Sequence, residues 1–124
     1  MEAKIQKISI PGLEINARAW GPEDGQPVLG LHGWLDNAAT FDLLAPLLPS
    51  LRIVSIDFPG HGFSDHLPLC APYDHINRIL QLIQVADALG WEKFGILGHS
   101  MGGVIGLFLA GTFPERITKM AAID

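Results

Sequence analysis

The sequence has very few cysteines and few charged residues. Cys70 is the single cysteine among 124 residues, which excludes an internal disulfide framework and a cysteine-based zinc cluster and favours a reducing compartment. Charged residues make up 17%, with 8 Lys and Arg against 13 Asp and Glu, and the basic residues form no run. This acidic balance disfavours nucleic acid and an anionic membrane surface as partners.

Two further absences narrow the class of protein. The first ten residues, MEAKIQKISI, contain no apolar stretch of signal-peptide length, and no apolar segment is long enough to span a bilayer. The sequence lacks an H-E-x-x-H motif and a cluster of acidic ligands, so a metal hydrolase is disfavoured and no cofactor is expected. With 48% hydrophobic residues, the chain is expected to be a soluble, globular protein of the cytoplasm.

Short apolar runs alternate with helical patterns along the chain. Period-two patterns predict two strands joined by a Pro-Gly turn, at residues 4–10 and 13–20. Unalternating apolar runs predict strands buried on both faces of a parallel sheet, at 28–31, 52–56, 94–97 and 120–123. Helical patterns occupy residues 41–48, 73–89 and 101–113. This alternation predicts an α/β protein.

Each helical pattern has its own character. Pro46 interrupts the first, which predicts a short or kinked helix. In the second, polar side chains such as Asn77 and Arg78 are predicted to face away from an apolar stripe, formed by Ile76, Ile79, Leu80, Ile83, Ala86 and Leu89. The third has Thr112 as its only polar side chain, which predicts a fully buried helix.

The strongest motif is Gly98-His-Ser-Met-Gly102, between an apolar strand and an apolar helix. A G-x-S-x-G in this context is typical of a nucleophile elbow, where small residues flank a serine on a sharp strand-to-helix turn. The hydroxyl of Ser100 would then lie beside the helix N-terminus, whose unpaired amides favour a developing oxyanion. The alternative is a Gly-rich turn that only packs the helix against the strand.

Two other glycine-marked loops also follow predicted strands. His32-Gly33-Trp34 ends the third strand, and in an elbow hydrolase a loop of this kind gives one oxyanion donor. The backbone amides of Trp34 and of Met101, the residue after the serine, are therefore the candidate donors. The third loop, Asp57-Phe-Pro-Gly-His-Gly-Phe-Ser64, is predicted to be compact and to lie at the same edge of the sheet.

Together, the stretches LHGWLDNAATFDLLAPLLP, DFPGHGFSDH and LGHSMGG resemble the α/β-hydrolase superfamily, and within it the serine hydrolase-like proteins. The resemblance implies a three-layer α/β/α sandwich with a mostly parallel sheet. It also implies Ser100 as nucleophile, the Trp34 and Met101 amides as oxyanion donors, and a small-molecule carboxylic ester as substrate. Relatives that open epoxides or remove halides carry Asp in place of Ser100, so those reactions are disfavoured.

A catalytic base is missing from the expected position. In this superfamily the order is nucleophile, acid and then histidine, yet all five histidines precede Ser100. His99 is adjacent to Ser100 and is predicted to point to the opposite face. His32 and His61 lie at the correct edge of the sheet but are expected to hold loops together. Two candidate acids, Asp124 and Glu115, follow the nucleophile.

Two hypotheses therefore remain open. In the first, residues 1–124 are the N-terminal part of one hydrolase domain whose acid and histidine, two further strands and a cap lie further along the chain. The last strand would then have an unpaired edge, and the apolar helix at residues 101–113 would lose part of its cover. In the second, the chain is a non-catalytic scaffold of the same fold that binds a ligand or a protein partner. The sequence does not indicate an oligomeric state.

Overall fold

In the computed structural model, which describes residues 2–124, the chain forms six strands, two α-helices and two short 3₁₀ helices. The strands are β1 (Lys4–Ile10), β2 (Leu13–Trp20), β3 (Gln26–Leu31), β4 (Leu51–Ile56), β5 (Phe94–His99) and β6 (Ile117–Ile123). The helices are α1 (His75–Ala88) and α2 (Met101–Thr112), with 3₁₀ helices at Ala38–Phe41 and Ala45–Leu47. All six predicted strands are present, and several are longer than predicted.

The six strands form one sheet in the order β1-β2-β4-β3-β5-β6. β2 is antiparallel to both β1 and β4, whereas β3, β4, β5 and β6 are parallel to one another. The carboxyl ends of these four strands lie at one edge of the sheet, where the loops that follow them meet. β4 pairs with one side of β3 and β5 pairs with the other side, so the order in which strands are added reverses at β3. In open α/β sheets, ligands bind at the carboxyl ends of the strands at such a point.

The sheet is covered on both faces by different elements. Val54 and Ile96 belong to the larger hydrophobic cluster, which also contains the buried residues of α1 and α2. Their chain neighbours Ile53 and Leu97 point to the opposite face, where a smaller cluster includes Phe41 from the first 3₁₀ helix. The predicted α/β class, with a mostly parallel sheet in three layers, is therefore confirmed.

The first helical pattern folds differently from the prediction. Residues 41–48 do not form one short α-helix; residues 38–47 contain the two 3₁₀ helices, and Pro46 lies in the second. The first begins earlier than predicted because the Asn37 side chain accepts a hydrogen bond from the Ala39 amide at 2.9 Å. Pro46 cannot donate an amide hydrogen bond, which prevents a continuous α-helix across the segment.

The prediction of α1 is right in place and partly right in its buried face, since two of the six residues of the predicted stripe are buried and two more are half-buried. Asp74 caps the helix by accepting the Asn77 amide at 2.7 Å, so it begins two residues later than predicted. Ile76 is 75% exposed, whereas Arg78, predicted to face solvent, is 7% exposed. The guanidinium of Arg78 lies 5.9 Å from the centre of the Phe58 ring. The apolar stripe predicts that Arg78 faces solvent, but its cation packs over the aromatic ring of Phe58 in the loop after β4 and is buried there.

The prediction that α2 is fully buried is wrong. Ile105 and Leu109 face the sheet and are buried, but Val104, Leu107 and Phe108 on the other side are 48%, 66% and 51% exposed. The helix packs on β3, β5 and β6, and β6 is itself an exposed edge strand. Neither α-helix within residues 2–124 has the length and apolar character needed to cross a membrane.

Candidate active site

Ser100 occupies the sharp turn between β5 and α2. Its backbone has φ 52° and ψ −116°, a left-handed conformation that a non-glycine residue adopts rarely. A hydrogen bond ties this turn to β6, because the Ser100 amide donates to the Ile123 carbonyl at 2.9 Å. The Ser100 residue is exposed to solvent, directly before the first residue of α2.

The flanking glycines are required because the backbone approaches too closely for a side chain. A Cβ at Gly98 would lie 2.7 Å from the carbonyl oxygen of Gly102. A Cβ at Gly102 would collide with the Leu31 carbonyl oxygen and would lie 2.7 Å from that of His32. The two glycines therefore let α2 begin directly against the ends of β5 and β3, as the elbow motif predicts.

The two candidate oxyanion amides belong to the loop after β3, which contains Trp34, and to the first residue of α2, Met101. Leu31 is in register with Gly98, so the loop after β3 lies next to the turn after β5. A Cβ at Gly33 would be only 3.5 Å from the Ser100 Cβ. Within residues 2–124, neither the Trp34 amide nor the Met101 amide donates a hydrogen bond to the protein. Both N–H groups are thus available to an added acceptor.

The candidate acids differ in position. Ile123 is in register with His99, so Asp124 follows β6 at the same edge of the sheet as Ser100. Asp124 is exposed. Glu115 is also exposed and precedes β6, at the opposite edge of the sheet. The fold therefore separates Glu115 from Ser100 and places Asp124 near it.

His32 is fully buried and uses both of its ring nitrogens. Nδ1 lies 2.6 Å from the Gly33 carbonyl oxygen, which can only accept, so Nδ1 carries the proton. Nε2 accepts the Phe58 amide at 3.0 Å. Burial lowers the pKa of His32 below 6.5; His61 also lowers it, and the Gly33 hydrogen bond and the Asp57 and Asp36 carboxylates oppose the shift. With no free lone pair, neutral His32 is not positioned to act as a base.

The lowered pKa of His32 predicts acid destabilisation. The unfolded chain binds the proton more readily than the native chain, so the stability that His32 contributes is present above pH 6.5 and lost as the pH falls through the lower native pKa. Urea unfolding at several pH values should show this loss. We expect His32→Gln to remove this component and His66→Gln, at an exposed histidine, to retain it; retention in His32→Gln would contradict the assignment.

The other two histidines near this edge each have one buried ring nitrogen with no hydrogen-bond partner within residues 2–124. His61 Nδ1 lies 3.2 Å from the Pro59 carbonyl oxygen, while its buried Nε2 has no partner. Its ring lies 5.1 Å from the His32 ring, inside the loop after β4. His99 Nδ1 is also buried and unpartnered, and it would lie 3.5 Å from a Cβ at Gly33. Neither histidine contacts Ser100 through a hydrogen bond.

Asp57 organises the loops at this edge, a role that the sequence motif alone did not identify. It is 2% exposed, and its carboxylate accepts the Asn16 side-chain amide at 2.9 Å, the Ala38 amide at 2.7 Å and the Phe63 amide at 2.9 Å. Ser64 Oγ also donates to the Asp57 carbonyl at 2.6 Å. The predicted compactness of the loop after β4 follows from these bonds; its partner Asn16 carries no local sequence signal.

The fold and the site define a class of protein, and comparison with known proteins identifies its family. A profile of the alpha/beta hydrolase fold matches residues 26–124, so the chain belongs to the α/β-hydrolase fold family. It is 47% identical over 119 residues to the serine hydrolase-like protein of Homo sapiens, covering 95% of this chain and 59% of that protein. The resemblance inferred from the motifs is therefore confirmed.

Other matches agree with this family. Human serine hydrolase-like protein 2 is also 47% identical over 119 residues, covering 95% of this chain and 38% of that protein. The crystal structure of the hypothetical protein PA1622 from Pseudomonas aeruginosa PAO1 matches with a TM-score of 0.95 and 50% identity, covering 100% of this chain and 43% of that one. The chain thus spans 38% to 59% of its human relatives.

Proposed function

We propose that this chain carries the nucleophile and the oxyanion donors of a serine hydrolase that acts on small-molecule carboxylic esters. The observation that carries the proposal is the position of Ser100, on a turn with positive φ beside two amides that have no partner within residues 2–124. The elbow residue is a serine, whose hydroxyl supports acyl transfer; an aspartate there would favour epoxide opening or halide removal. Two human proteins named serine hydrolase-like are 47% identical to this chain over 119 residues, which supports the proposal.

In the proposed reaction, Ser100 Oγ attacks the acyl carbon of the ester and its proton passes to a base. The carbonyl oxygen becomes an oxyanion that accepts the Trp34 and Met101 N–H groups. Collapse of this intermediate breaks the bond to the alcohol, which takes the proton from the base and leaves. Water then attacks the acyl-enzyme by the same sequence and releases the acid.

The base in this proposal comes from outside residues 2–124. His32 has both ring nitrogens engaged, and His61 Nε2 is buried in the loop after β4. The relatives are long enough to supply a further histidine, since the chain covers at most 59% of the two human proteins. Asp124 is the proposed acid within this chain, because it lies at the sheet edge that carries Ser100.

Covalent labelling with a fluorophosphonate tests this function. We expect the probe to add one phosphonyl group at Ser100, detected by intact mass and by sequencing of the labelled peptide. Without a base the reaction will be slow. Removal of triad residues from a complete site leaves only about 10³–10⁴-fold acceleration over water. Long incubation at high probe concentration is therefore needed.

Two variants complete the labelling experiment. Ser100→Ala should take up no label, whereas Ser50→Ala, at an exposed serine in the loop before β4, should label as the wild type does. Equal labelling of Ser100→Ala and the wild type would reject Ser100 as the nucleophile. A longer form of the protein that supplies the histidine should label Ser100 rapidly; an unlabelled Ser100 there would favour a non-catalytic scaffold, for which the exposed side of α2 offers an apolar surface.

A further inference from the structure

The loop after β3 makes a strained turn that is held at one carbonyl. The Gly33 carbonyl oxygen lies 2.6 Å from His32 Nδ1 and accepts the Asp36 amide at 3.3 Å. Leu35, the third residue of this turn, has φ 61°, where a type II turn ordinarily has glycine. Leucine adopts this conformation rarely and under strain, so the turn persists because its surroundings hold it.

The direction of the Trp34 amide follows from the planarity of one peptide bond. The Gly33–Trp34 peptide is trans, so the Gly33 carbonyl and the Trp34 N–H point in opposite directions. His32 is buried, and its hydrogen bond turns the carbonyl towards the protein interior. The Trp34 N–H must therefore point away from His32. Gly33 itself lies against Ser100, as the 3.5 Å from its virtual Cβ to the Ser100 Cβ shows.

We propose that His32 is a positioning residue that fixes the Gly33–Trp34 peptide through its Nδ1–H bond and thereby directs the Trp34 N–H towards the acyl site. The Phe58 amide acts one step further away: by donating to Nε2, it requires the proton to be on Nδ1. The loop after β4, which contains Phe58, thus determines that Nδ1 of His32 is the nitrogen that donates to the loop after β3. The benefit to acyl transfer rests on the proposed function, but the peptide orientation does not.

Two substitutions of His32 separate its two hydrogen bonds. In His32→Asn, the side-chain amide nitrogen reaches the place of Nδ1 and can still donate to the Gly33 carbonyl, but nothing reaches the Phe58 amide. In His32→Gln, the longer side chain places its carbonyl oxygen near Nε2 and can accept from Phe58, but no donor remains for Gly33. Both remove a buried imidazole, so a role in stability alone predicts similar behaviour of the two variants.

Labelling of Ser100 by a fluorophosphonate distinguishes these roles. With rates normalised to the folded fraction, we expect His32→Asn to remain within about 5-fold of the wild type and His32→Gln to fall by about 100-fold, the usual cost of a misplaced catalytic group. Equal rates for the two folded variants would overturn the positioning role.

Nuclear magnetic resonance tests the same inference without any reaction. Long-range ¹H–¹⁵N correlation of the wild-type imidazole should show the proton on Nδ1 of His32, and an Nε2–H tautomer would overturn the proposal. The Trp34 backbone amide signal should shift strongly in His32→Gln and little in His32→Asn. If Ser100 takes no label in a longer form of the protein that supplies the histidine, the proposed function fails; an unshifted Trp34 signal in His32→Gln separately overturns the positioning role.

Discussion

Replacing Gly102 with alanine is expected to lower the free energy of unfolding by about 3 kcal/mol, near the upper end of the cost of overpacking. The new Cβ would collide with the Leu31 carbonyl oxygen and lie 2.7 Å from that of His32. Leu31 is the last residue of β3, which is paired on one side with β4 and on the other with β5, and His32 follows it directly. The strand cannot move without loss of its ladder, so α2 must shift. Thermal or urea unfolding followed by circular dichroism measures the loss.

Gly111 provides a matched control in the same helix. A Cβ at this position meets no atom within 4 Å, and the residue is exposed near the end of α2. Gly111→Ala should raise the free energy of unfolding by about 0.5–1 kcal/mol through helix propensity. The same substitution should thus have opposite effects at the two ends of one helix. A Gly102→Ala variant as stable as Gly111→Ala would contradict the packing described for the elbow.

Replacing Asp57 with asparagine is also expected to lower the free energy of unfolding by about 3 kcal/mol. The buried carboxylate accepts three N–H groups, and an amide has only one oxygen to offer them. Its NH₂ group would face at least one of these donors, and a lost hydrogen bond to a charged group costs about 1.5–3 kcal/mol in addition to the unsatisfied donor. Urea unfolding gives the change in free energy.

Asp24 supplies the control for the change of charge. It is exposed in the loop before β3, and its side chain takes part in no ion pair within residues 2–124. Asp24→Asn should leave the unfolding transition where it is. If Asp57→Asn unfolded at the same urea concentration as Asp24→Asn, the three hydrogen bonds would not contribute to stability as the structure indicates.

Local patterns predict the strands of this fold well because each strand has its own signal. The hairpin at residues 4–20 follows from alternation and a Pro-Gly turn, and β5 from an apolar run ending at a glycine. Helix faces are less predictable, because the buried side depends on what lies opposite. Arg78 is buried over Phe58, which belongs to a distant loop, and Leu107 of α2 is exposed because no element in residues 2–124 covers it.

The candidate site shows the same division between local and distant information. Gly98, Ser100 and Gly102 predict the elbow, because the steric requirement acts within five consecutive residues. The bonds of His32 could not be predicted, because its partner Phe58 lies in a loop that follows another strand. Likewise, Asn16 contacts Asp57 only because β2 lies antiparallel to β4.

The strand order has a consequence for how the site forms during folding. The loop after β3 and the turn after β5 meet only when Leu31 aligns with Gly98, a contact that encloses β4 and α1 in one long loop. Contacts between residues so far apart in sequence carry an entropic cost that local hairpins avoid, and such parallel pairings form slowly. The β1–β2 hairpin can therefore form early, whereas Ser100 and the Trp34 amide come together only after the middle of the sheet closes. During synthesis on the ribosome, β1 and β2 could thus pair well before the candidate active site is assembled.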